Sequence, residues 1–422
     1  MRHPLFLRCQ PLRILPIGSR IRHFGHSSNR GKAFDYGDNV LIRSKKGGSS
    51  EGTIVKLRES KVRSTHHGDI QHDDIVGLSG RQVVRSSKGI GFRVHEPTLA
   101  EYVRLTPRLV TPIYPSDANL IVSLLDIHVD TCSAGTSGEA PLEILEAGTG
   151  HGALTLHLSR AIHAANPPLP KVAPHIANHT EDDEDEVNLG ESVSDLQESN
   201  LASWKASRRA ILHTLDISPK YSAHAKKIVH DFRHGIYSNN VDFHVGDVSA
   251  WISAQKESRK SQDPFLSYIL LDLPGSPKHL ANAASALYAN GVLSVFNPSI
   301  TQIADCVETI RENNLPFALD QVIELGAANI RQWDVRAVRP RATLSNAENS
   351  ESQSKHDAPI EGQTARDDEL ATDLAREQEE WAMVCRPKVG EKVIGGGFLG
   401  IWRRMDMTAG VGSAGVETPE PE

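Results

Sequence analysis

Four acidic residues stand where acids can bind a small ligand. Glu146 precedes three alternating glycines in the run Leu145-Glu-Ala-Gly-Thr-Gly-His-Gly-Ala153. Asp216, Asp247 and Asp272 lie at or just after the ends of later apolar runs. A single acid at such a position is often only a helix cap. Together, acids that follow successive strands favour a ligand site, because parallel α/β sheets bind ligands beyond the carboxyl ends of their strands.

The glycine run predicts a tight turn between a strand and a helix. Gly148, Gly150 and Gly152 alternate, and a helix-forming run begins at Ala153. Such glycines let the backbone come close to a nucleotide-like cofactor, and the first amides of the helix face that cofactor. The spacing differs from the dinucleotide pattern G-x-G-x-x-G. The acid before the turn suits a cofactor with positive charge, and S-adenosylmethionine fits through its sulfonium and amino groups.

Each later acid has an expected role at this site. Asp216 follows the second strand, where a carboxylate accepts hydrogen bonds from ribose hydroxyls. Asp247 follows the third strand and can accept a hydrogen bond from an adenine amino group. Asp272 follows the fourth strand. The competing interpretation is that the glycines only close a turn in an unrelated α/β fold.

These residues need a sheet to bring them together, and strands alternate with helices from residue 141 onward. Strands are predicted at Leu142–Ala147, Ile211–Ile217, Val241–Val245, Tyr268–Leu273, Gly291–Phe296, Gln321–Leu325 and Phe398–Arg403. Helices are predicted at Ala153–Ala164, Pro219–His234, His279–Leu287 and Ile300–Asn313. This rhythm predicts an α/β fold, a doubly wound, seven-stranded, Rossmann-like sheet. A small β-rich domain with glycine-marked turns is predicted before it, at residues 35–96.

The remaining segments complete the predicted domain organisation. The main domain takes residues 97–341 plus 380–406. Residues 166–206, with the acidic run Thr180-Glu-Asp-Asp-Glu-Asp-Glu186, and the polar residues 343–378 are predicted to be disordered surface insertions. A disordered tail is predicted at 407–422.

The amino-terminal segment differs in charge from the rest of the chain. Residues 1–34 contain seven Arg or Lys and no Asp or Glu, although the whole chain has a net charge of −7. This composition predicts a mitochondrial presequence at 1–33 and a location in the matrix, with the nucleus as the alternative. A basic arm that touches RNA is the competing interpretation. The four cysteines lack C-x-x-C spacing, which indicates a reducing compartment and no structural zinc, and no apolar run predicts a membrane span.

Several motifs together resemble one known family, the tRNA (adenine-58-N1)-methyltransferases, which are class I S-adenosylmethionine-dependent enzymes. The resemblance covers residues 37 to 341, insertions excepted, and returns at 394–404. It rests on Thr65-His-His-Gly-Asp-Ile-Gln-His-Asp-Asp-Ile-Val-Gly77, Glu96-Pro-Thr-Leu-Ala-Glu-Tyr102, Ile113-Tyr-Pro-Ser-Asp117, the glycine loop, and Arg331-Gln-Trp-Asp-Val335. The glycine loop alone would indicate only a methyltransferase. The histidine stretch and the Tyr-Pro element make the resemblance specific.

The resemblance implies an enzyme that methylates N1 of adenine 58 in the T-loop of tRNA. Asp272 would be the catalytic aspartate, whose carboxylate accepts a hydrogen bond from the N6 amino group of an extruded base. The cofactor-binding residues would be Tyr114, Glu146, Gly148, Gly150, Gly152, Ala153, Asp216 and Asp247. The amino-terminal domain would help to bind tRNA. A homotetramer, or a heterotetramer with a non-catalytic subunit, would be the assembly.

Some residues depart from the family pattern. His151 stands where the family often has serine, and Asp272-Leu-Pro-Gly-Ser-Pro277 lacks the family's aromatic residue. Gly395-Gly-Gly397 replaces a family His-Thr-Gly. The altered segment after Asp272 keeps open a methyltransferase for another RNA adenine. A non-catalytic tRNA-binding subunit is the other alternative, although the intact glycine loop and Asp272 favour catalysis.

Three further groups of residues each have a structural and a functional interpretation. His66, His67 and His72 with Asp73 and Asp74 suit a hydrogen-bonded loop better than a metal site, so no metal is predicted. Arg336, Arg339 and Arg341 suit either phosphate contact or a solvated strand edge. Trp333 suits the core better than base stacking.

Overall fold

The computed structural model describes residues 32–44, 52–131, 140–169, 199–326, 333–338, 382–387 and 396–406. Strands β1 to β6 form the amino-terminal domain: Asn39–Ser44, Thr53–Lys56, Val62–Thr65, Gly68–Gln71, Val83–Arg85 and Gly91–His95. Four of them make an antiparallel sheet in the order β2-β1-β6-β5, and β3 pairs with β4 as a hairpin. Apolar side chains such as Val40, Ile70 and Val94 form its core. The predicted β-rich domain is present.

The second domain is built on a seven-stranded sheet. Its strands are β7 (Leu142–Ala147), β8 (Ala210–Asp216), β9 (Val241–Val245), β10 (Leu266–Leu271), β11 (Leu287–Asn297), β12 (Phe317–Leu325) and β15 (Gly397–Arg404). Their order is β12-β15-β11-β10-β7-β8-β9, and β15 is antiparallel to both of its neighbours. The other pairs, from β9 through β11, are parallel. The predicted doubly wound sheet is confirmed, and the carboxyl ends of β7, β8, β9 and β10 share one edge.

Helices cover both faces of this sheet. The helices are α1 (Leu99–Leu105), α2 (Pro115–Leu124), α3 (Ala153–Ile162), α4 (199–206), α5 (Pro219–Asp231), α6 (Val248–Arg259), α7 (Leu280–Ala286) and α8 (Ile300–Glu312). One core cluster joins α1, α2, α3 and α5 to the sheet, whereas a second joins α6, α7 and α8 to it. Strands β13 (Trp333–Val338) and β14 (Ala382–Pro387) form a separate antiparallel pair.

Several elements were absent from the sequence-based prediction, among them α6, β3 and β4. Helix α6 was missed because its apolar side is narrow: Val248, Trp251 and Ile252 are its buried apolar residues. The hairpin β3–β4 was missed because its strands are short and mostly polar. Within the described residues, none of the helices has both the length and the apolar character needed to cross a membrane.

The predicted disordered insertion at 166–206 is wrong at both ends. Asn166 is buried and its side-chain amide donates to the carbonyl of Ala210 at 2.8 Å. Trp204 in α4 is 6% exposed, and its indole donates to the carbonyl of Pro167 at 3.0 Å. One tryptophan therefore supplies the apolar surface that ties the returning chain to the domain. Residues 170–198 of that insertion, residues 1–31 of the predicted presequence, the whole 343–378 insertion and the 407–422 tail lie outside the described residues.

Candidate active site

The glycine loop lies directly against the end of β10. Gly148 has φ +98°, and a Cβ atom there would overlap the carbonyl oxygen of Asp272. The amide of Asp272 donates to the carbonyl of Ala147 at 2.8 Å, which extends the pairing of β7 with β10 by one residue. Only glycine combines this left-handed backbone with this close approach. The loop and the fourth acid are therefore neighbours, as predicted.

Glu146 is sealed beneath the loop. It is 1% exposed, and its Oε2 accepts hydrogen bonds from Thr155 at 2.7 Å and Thr214 at 2.8 Å. Burial and, to a smaller extent, the nearby charge of Asp272 raise the pKa of Glu146 to about 8, although the two threonine hydroxyls oppose this shift. The sequence placed Glu146 at the cofactor, and the structure places it behind the loop with its carboxylate fixed by two hydroxyls.

Asp272 lies at the carboxyl end of β10, facing the shared edge. Burial raises the pKa of Asp272 to about 7. Its side chain lines a small cavity together with Leu154 from α3 and Ser294 and Phe296 from β11. A desolvated carboxylate in such a place is a strong hydrogen-bond acceptor for a neutral amino group once it is ionised.

Asp216 clamps the loop from the neighbouring strand. Its Oδ2 accepts from the amide of Gly150 at 3.0 Å, and its Oδ1 accepts from the amide of Ser218 at 2.8 Å. Each carboxylate oxygen has two lone pairs, so both oxygens retain capacity for further donors such as ribose hydroxyls.

Asp247 serves as the N-cap of α6. Its Oδ1 accepts from the amides of Ser249 at 2.9 Å and Ala250 at 3.1 Å, which is the capping role that a lone acid often has. Its side chain is half exposed, and Oδ2 lies 3.8 Å from Nε2 of His279. Oδ2 therefore remains available at the shared edge.

Gly152 and Ala153 are placed differently from the first two glycines. Gly148 and Gly150 are partly exposed, whereas Gly152 and Ala153 are buried. A Cβ on Gly152 would lie 3.2 Å from Cβ of Ala225 in α5, and its amide already donates to the carbonyl of Thr149. Gly152 therefore allows α3 and α5 to pack closely.

His151 points away from the accessible edge. It is 2% exposed, with Nε2 at 3.2 Å from Oγ1 of Thr106 and Nδ1 at 3.1 Å from Nε2 of His224. Burial lowers the pKa of His151 to about 4, and the charges of His224 and Arg108 act in the same direction. His151 is thus a neutral bridge from the loop to the end of α1 and to α5.

The segment between α1 and α2 lies over the loop. Val110 is the side chain nearest to Gly150, since a Cβ built there would lie 3.4 Å from its Cγ2. Tyr114 caps the start of α2 and is partly exposed, with its hydroxyl accepting from Arg108 at 3.2 Å. The predicted Tyr-Pro element therefore belongs to the same edge as the glycine loop.

Asp117 is a residue that the sequence reasoning did not single out. It is 6% exposed, and its carboxylate accepts from the backbone amides of Gly326 and Gly396. Burial raises the pKa of Asp117, and the two amides oppose that shift. Its partners lie more than 200 residues away along the chain, so a single sequence gives no signal for this contact.

Comparison with known proteins places this geometry in context. No family model matches the chain. The chain is 28% identical over 298 residues to the tRNA (adenine(58)-N(1))-methyltransferase TrmI of Thermus thermophilus, covering 70% of this chain and 88% of the relative. Over 79 residues it is 35% identical to the tRNA (adenine(57)-N(1)/adenine(58)-N(1))-methyltransferase TrmI of Methanocaldococcus jannaschii, covering 19% of this chain and 24% of that protein. The chain is thus similar to TrmI of Thermus thermophilus over most of its length.

A solved structure supports the fold assignment. The S-adenosylmethionine-dependent O-methyltransferase of Thermotoga maritima superposes with a TM-score of 0.51 at 14% identity, covering 89% of this chain and 95% of that one. At this identity the likeness concerns the fold alone. It agrees with the seven-stranded sheet described above.

Two exposed apolar residues lie at the shared edge, and the sequence analysis did not single them out as site residues. Ile217 is 78% exposed and directly follows Asp216, and Val245 is 53% exposed. Val245 is the register partner of Asp216 across β8 and β9. Apolar side chains left in solvent beside an acid suit the flat face of an aromatic ring, and their signal was an apolar residue at each strand end.

The segment after Asp272, which lacks the aromatic residue of the family pattern, forms a compact turn. Gly275 has φ +75°, and the hydroxyl of the buried Ser276 donates to the carbonyl of Leu273 at 2.8 Å. His279 then contacts the hydroxyl of Ser249 through Nδ1 at 2.9 Å. The turn therefore connects the loop that carries Asp272 with the loop that carries Asp247.

The other predicted groups have mixed outcomes. His72 is buried and its Nδ1 accepts from the amide of Arg58 at 3.1 Å, so it stabilises the hairpin region, while His66 and His67 are exposed. The backbone of Trp333 and Arg336 lies in β13, but their side chains lie outside the described residues, as do Arg339 and Arg341.

Proposed function

We propose that this protein is an S-adenosylmethionine-dependent methyltransferase that methylates N1 of adenine 58 in the T-loop of tRNA. The main supporting observation is the direct contact between the glycine loop and the backbone of Asp272, which joins the predicted cofactor loop to a partly buried acid at one edge of the sheet. The similarity to TrmI over most of the chain supports the substrate.

The residues present fit the cofactor. Gly148 and Gly150 are partly exposed on the accessible side of the loop, and Asp216 retains lone pairs for ribose hydroxyls. Ile217 and Val245 would contact the adenine faces, and Oδ2 of Asp247 would accept from its amino group. The buried carboxylate of Glu146 would complement a positive charge above the loop. When bound, S-adenosylmethionine supplies an electrophilic methyl group on a sulfonium.

Asp272 would act on the base that accepts the methyl group. Its ionised carboxylate would accept a hydrogen bond from the N6 amino group of adenine, which raises electron density at N1. N1 would then accept the methyl group that the bound cofactor supplies, and the electron pair of the carbon–sulfur bond would stay with sulfur. Positioning of N1 in line with that bond supplies much of the rate.

Methyl transfer to defined RNA tests this proposal. The full chain is incubated with labelled S-adenosylmethionine and a tRNA transcript, and digested nucleosides are separated to detect 1-methyladenosine. Asp272→Ala is expected to lower the rate at saturating cofactor at least about 100-fold, as loss of a transition-state contact does. The exposed Asp263→Ala serves as the control. Full activity of Asp272→Ala would contradict the catalytic role.

The second candidate is methylation of an adenine in another RNA. The turn at Gly275–Ser276 lies where the family has an aromatic residue near the predicted base pocket, so the pocket could accept an adenine from a different RNA. A transcript with guanine at position 58 separates the two. Loss of labelling supports the T-loop substrate, and retained labelling supports another adenine.

Location and assembly are part of the proposal. The arginine-rich, acid-free residues 1–33 support import into mitochondria. Fusion of residues 1–34 to a fluorescent protein is expected to direct it to mitochondria, and a cytosolic fusion would contradict that. Assembly as a homotetramer, or with a non-catalytic subunit, is tested by mass measurement of the purified protein.

A further inference from the structure

The outer face of α5 carries an unusual concentration of positive charge. Lys220, Lys226 and Lys227 are exposed, followed by His230 within the helix. Within the described part of the chain, no carboxylate forms a salt bridge with any of these three lysines, whereas Lys56 and Lys205 both have acidic partners. The chain as a whole is acidic, so this face does not follow from overall composition.

The placement of these charges works against the stability of the helix itself. Lys220 follows Pro219 in the first turn, which contains no acid. The amino-terminal end of a helix carries partial positive charge, so a cation there is unfavourable by some tenths of a kcal/mol. The charge of Lys227 also contributes to lowering the pKa of His224, after the larger effect of burial. Local helix stability therefore does not account for the lysines.

Helix α5 connects the two places that an RNA substrate must reach. Its first residue comes three positions after Asp216 at the edge where the cofactor loop lies. Its last residue, Asp231, pairs with Lys56 of the amino-terminal domain at 2.8 Å and accepts from the side-chain amide of Asn39 through its carbonyl at 2.7 Å. The lysines from 220 to 227 span about 10 Å along the axis between these points.

Helix α8, on the opposite face of the sheet, differs in charge from α5. Helix α8 carries Asp305, Glu308 and Glu312 against a single basic residue, Arg311, which lies 3.8 Å from Glu308. An anionic polymer would therefore be attracted to the α5 face and repelled by the α8 face.

We propose that the α5 face, defined by Lys220, Lys226 and Lys227, is a docking surface for the phosphate backbone of the RNA substrate. This rests on the proposed function and deepens it. The lysines position the RNA without reading its sequence, since phosphate contacts fix register and orientation. The phosphate backbone of the RNA then runs from the amino-terminal domain along α5 toward the edge that carries Asp272.

Salt-dependent binding tests this surface. Fluorescence anisotropy measures how tightly the full chain and a Lys220→Gln/Lys226→Gln/Lys227→Gln variant bind a fluorescein-labelled tRNA transcript. The measurement is repeated over a series of salt concentrations. The variant is expected to bind about tenfold more weakly or worse near 0.1 M salt. The slope of log K against log salt should fall by about two to three, one for each lost phosphate contact.

The controls separate charge from folding. Lys260→Gln/Arg311→Gln removes exposed charges at α6 and α8 and is expected to bind the transcript as wild type does. The triple variant should keep its thermal stability and its affinity for S-adenosylmethionine. If the triple variant keeps the RNA affinity and the salt slope of the wild type, the docking-surface proposal is wrong but the proposed function is not. If the triple variant keeps RNA binding but loses binding of polyglutamate, the proposal is also wrong, and the α5 face instead binds an acidic protein. Failure of the wild-type chain to bind the transcript would overturn the proposed function as well.

Discussion

Nδ1 of His151 lies 3.1 Å from Nε2 of His224, so the cofactor loop is joined to α5 through two imidazole rings. The direction of this hydrogen bond follows from its neighbours. The single hydroxyl hydrogen of Thr106 is donated to the carbonyl of Tyr102 at 2.7 Å, so its oxygen accepts from Nε2–H of His151. Neutral His151 then has an unprotonated Nδ1, which accepts from His224. This series of hydrogen bonds therefore fixes His151 in the tautomer that is protonated at Nε2.

Substitution of His151 tests whether this bridge positions the loop. His151→Ala is expected to weaken cofactor binding several-fold and to cost about 1–3 kcal/mol of stability, because Thr106 and His224 lose a buried partner. His151→Gln places an amide donor near the position of Nε2 and should recover most of the affinity. Titration calorimetry with S-adenosylmethionine measures both variants.

His157 provides the matched control for that experiment. It is also a buried histidine, 1% exposed in α3, and its Nδ1 bonds only to the carbonyl of Ala153 in its own helix. His157→Ala should lose stability while its cofactor affinity stays as in wild type. Equal losses of affinity in both alanine variants would show that His151 has no specific role at the loop.

Gly148→Ala should abolish cofactor binding. The new methyl group would overlap the carbonyl of Asp272, and φ +98° is itself unfavourable for alanine. Gly77 has φ +88° but open space around a built Cβ, so Gly77→Ala isolates the backbone penalty, about 1–2 kcal/mol. Calorimetry and thermal unfolding of both variants are informative, and a Gly148→Ala protein that binds the cofactor normally would disprove the close approach.

Cofactor affinity should increase with pH between about 6 and 8. Burial raises the pKa of Asp272 to about 7 and that of Glu146 to about 8, so both carboxyls are largely neutral below these values. A cationic ligand binds the ionised forms better, so binding releases protons, with a limit of tenfold per pH unit for each proton. Calorimetry in buffers of different ionisation enthalpy counts the protons. Glu146→Gln should remove the upper part of the dependence, and affinity that is constant over this range would refute the coupling.

The same two groups affect folding with the opposite sign. Each has a folded-state pKa above its ordinary value, so the folded protein holds more protons than the unfolded chain between about pH 4 and pH 8. Their contribution to stability is therefore present at low pH and is lost as pH increases through the folded-state values. Without cofactor the melting temperature should decrease across that range, and saturating cofactor should reduce the decrease.

Thr214→Val should destabilise the buried carboxylate of Glu146. The hydroxyl of Thr214 donates to Glu146 at 2.8 Å and contacts Thr149 at 2.7 Å. Valine keeps the shape but leaves the carboxylate with one side-chain donor, at a cost of about 1–3 kcal/mol. Thr214→Ser keeps the hydroxyl and is the control. Chemical denaturation at pH 9, where Glu146 is ionised, should separate the variants, and equal stability there would argue against the network.

The sheet and its acidic edge could be predicted from the sequence because apolar strands and glycine turns are local signals. Ala147, Asp216 and Val245 lie at or next to the ends foreseen for their strands. What escaped prediction depends on contacts between distant residues. Asp247 acts as a helix cap because α6, whose buried apolar stripe is narrow, begins directly after it. The inward orientation of His151 depends on Thr106 and His224, which are far from it in sequence.

Asp117 binds the amides of Gly326 and Gly396 with one carboxylate, so the chain departs from the sheet after β12 and returns for β15 at a single point. Residues 327–395 thus form a closed excursion whose two ends are held together by α2. The entropy of closing such an excursion grows only with the logarithm of its length. Evolution can therefore lengthen or shorten this part of the chain without moving the strands on either side of it.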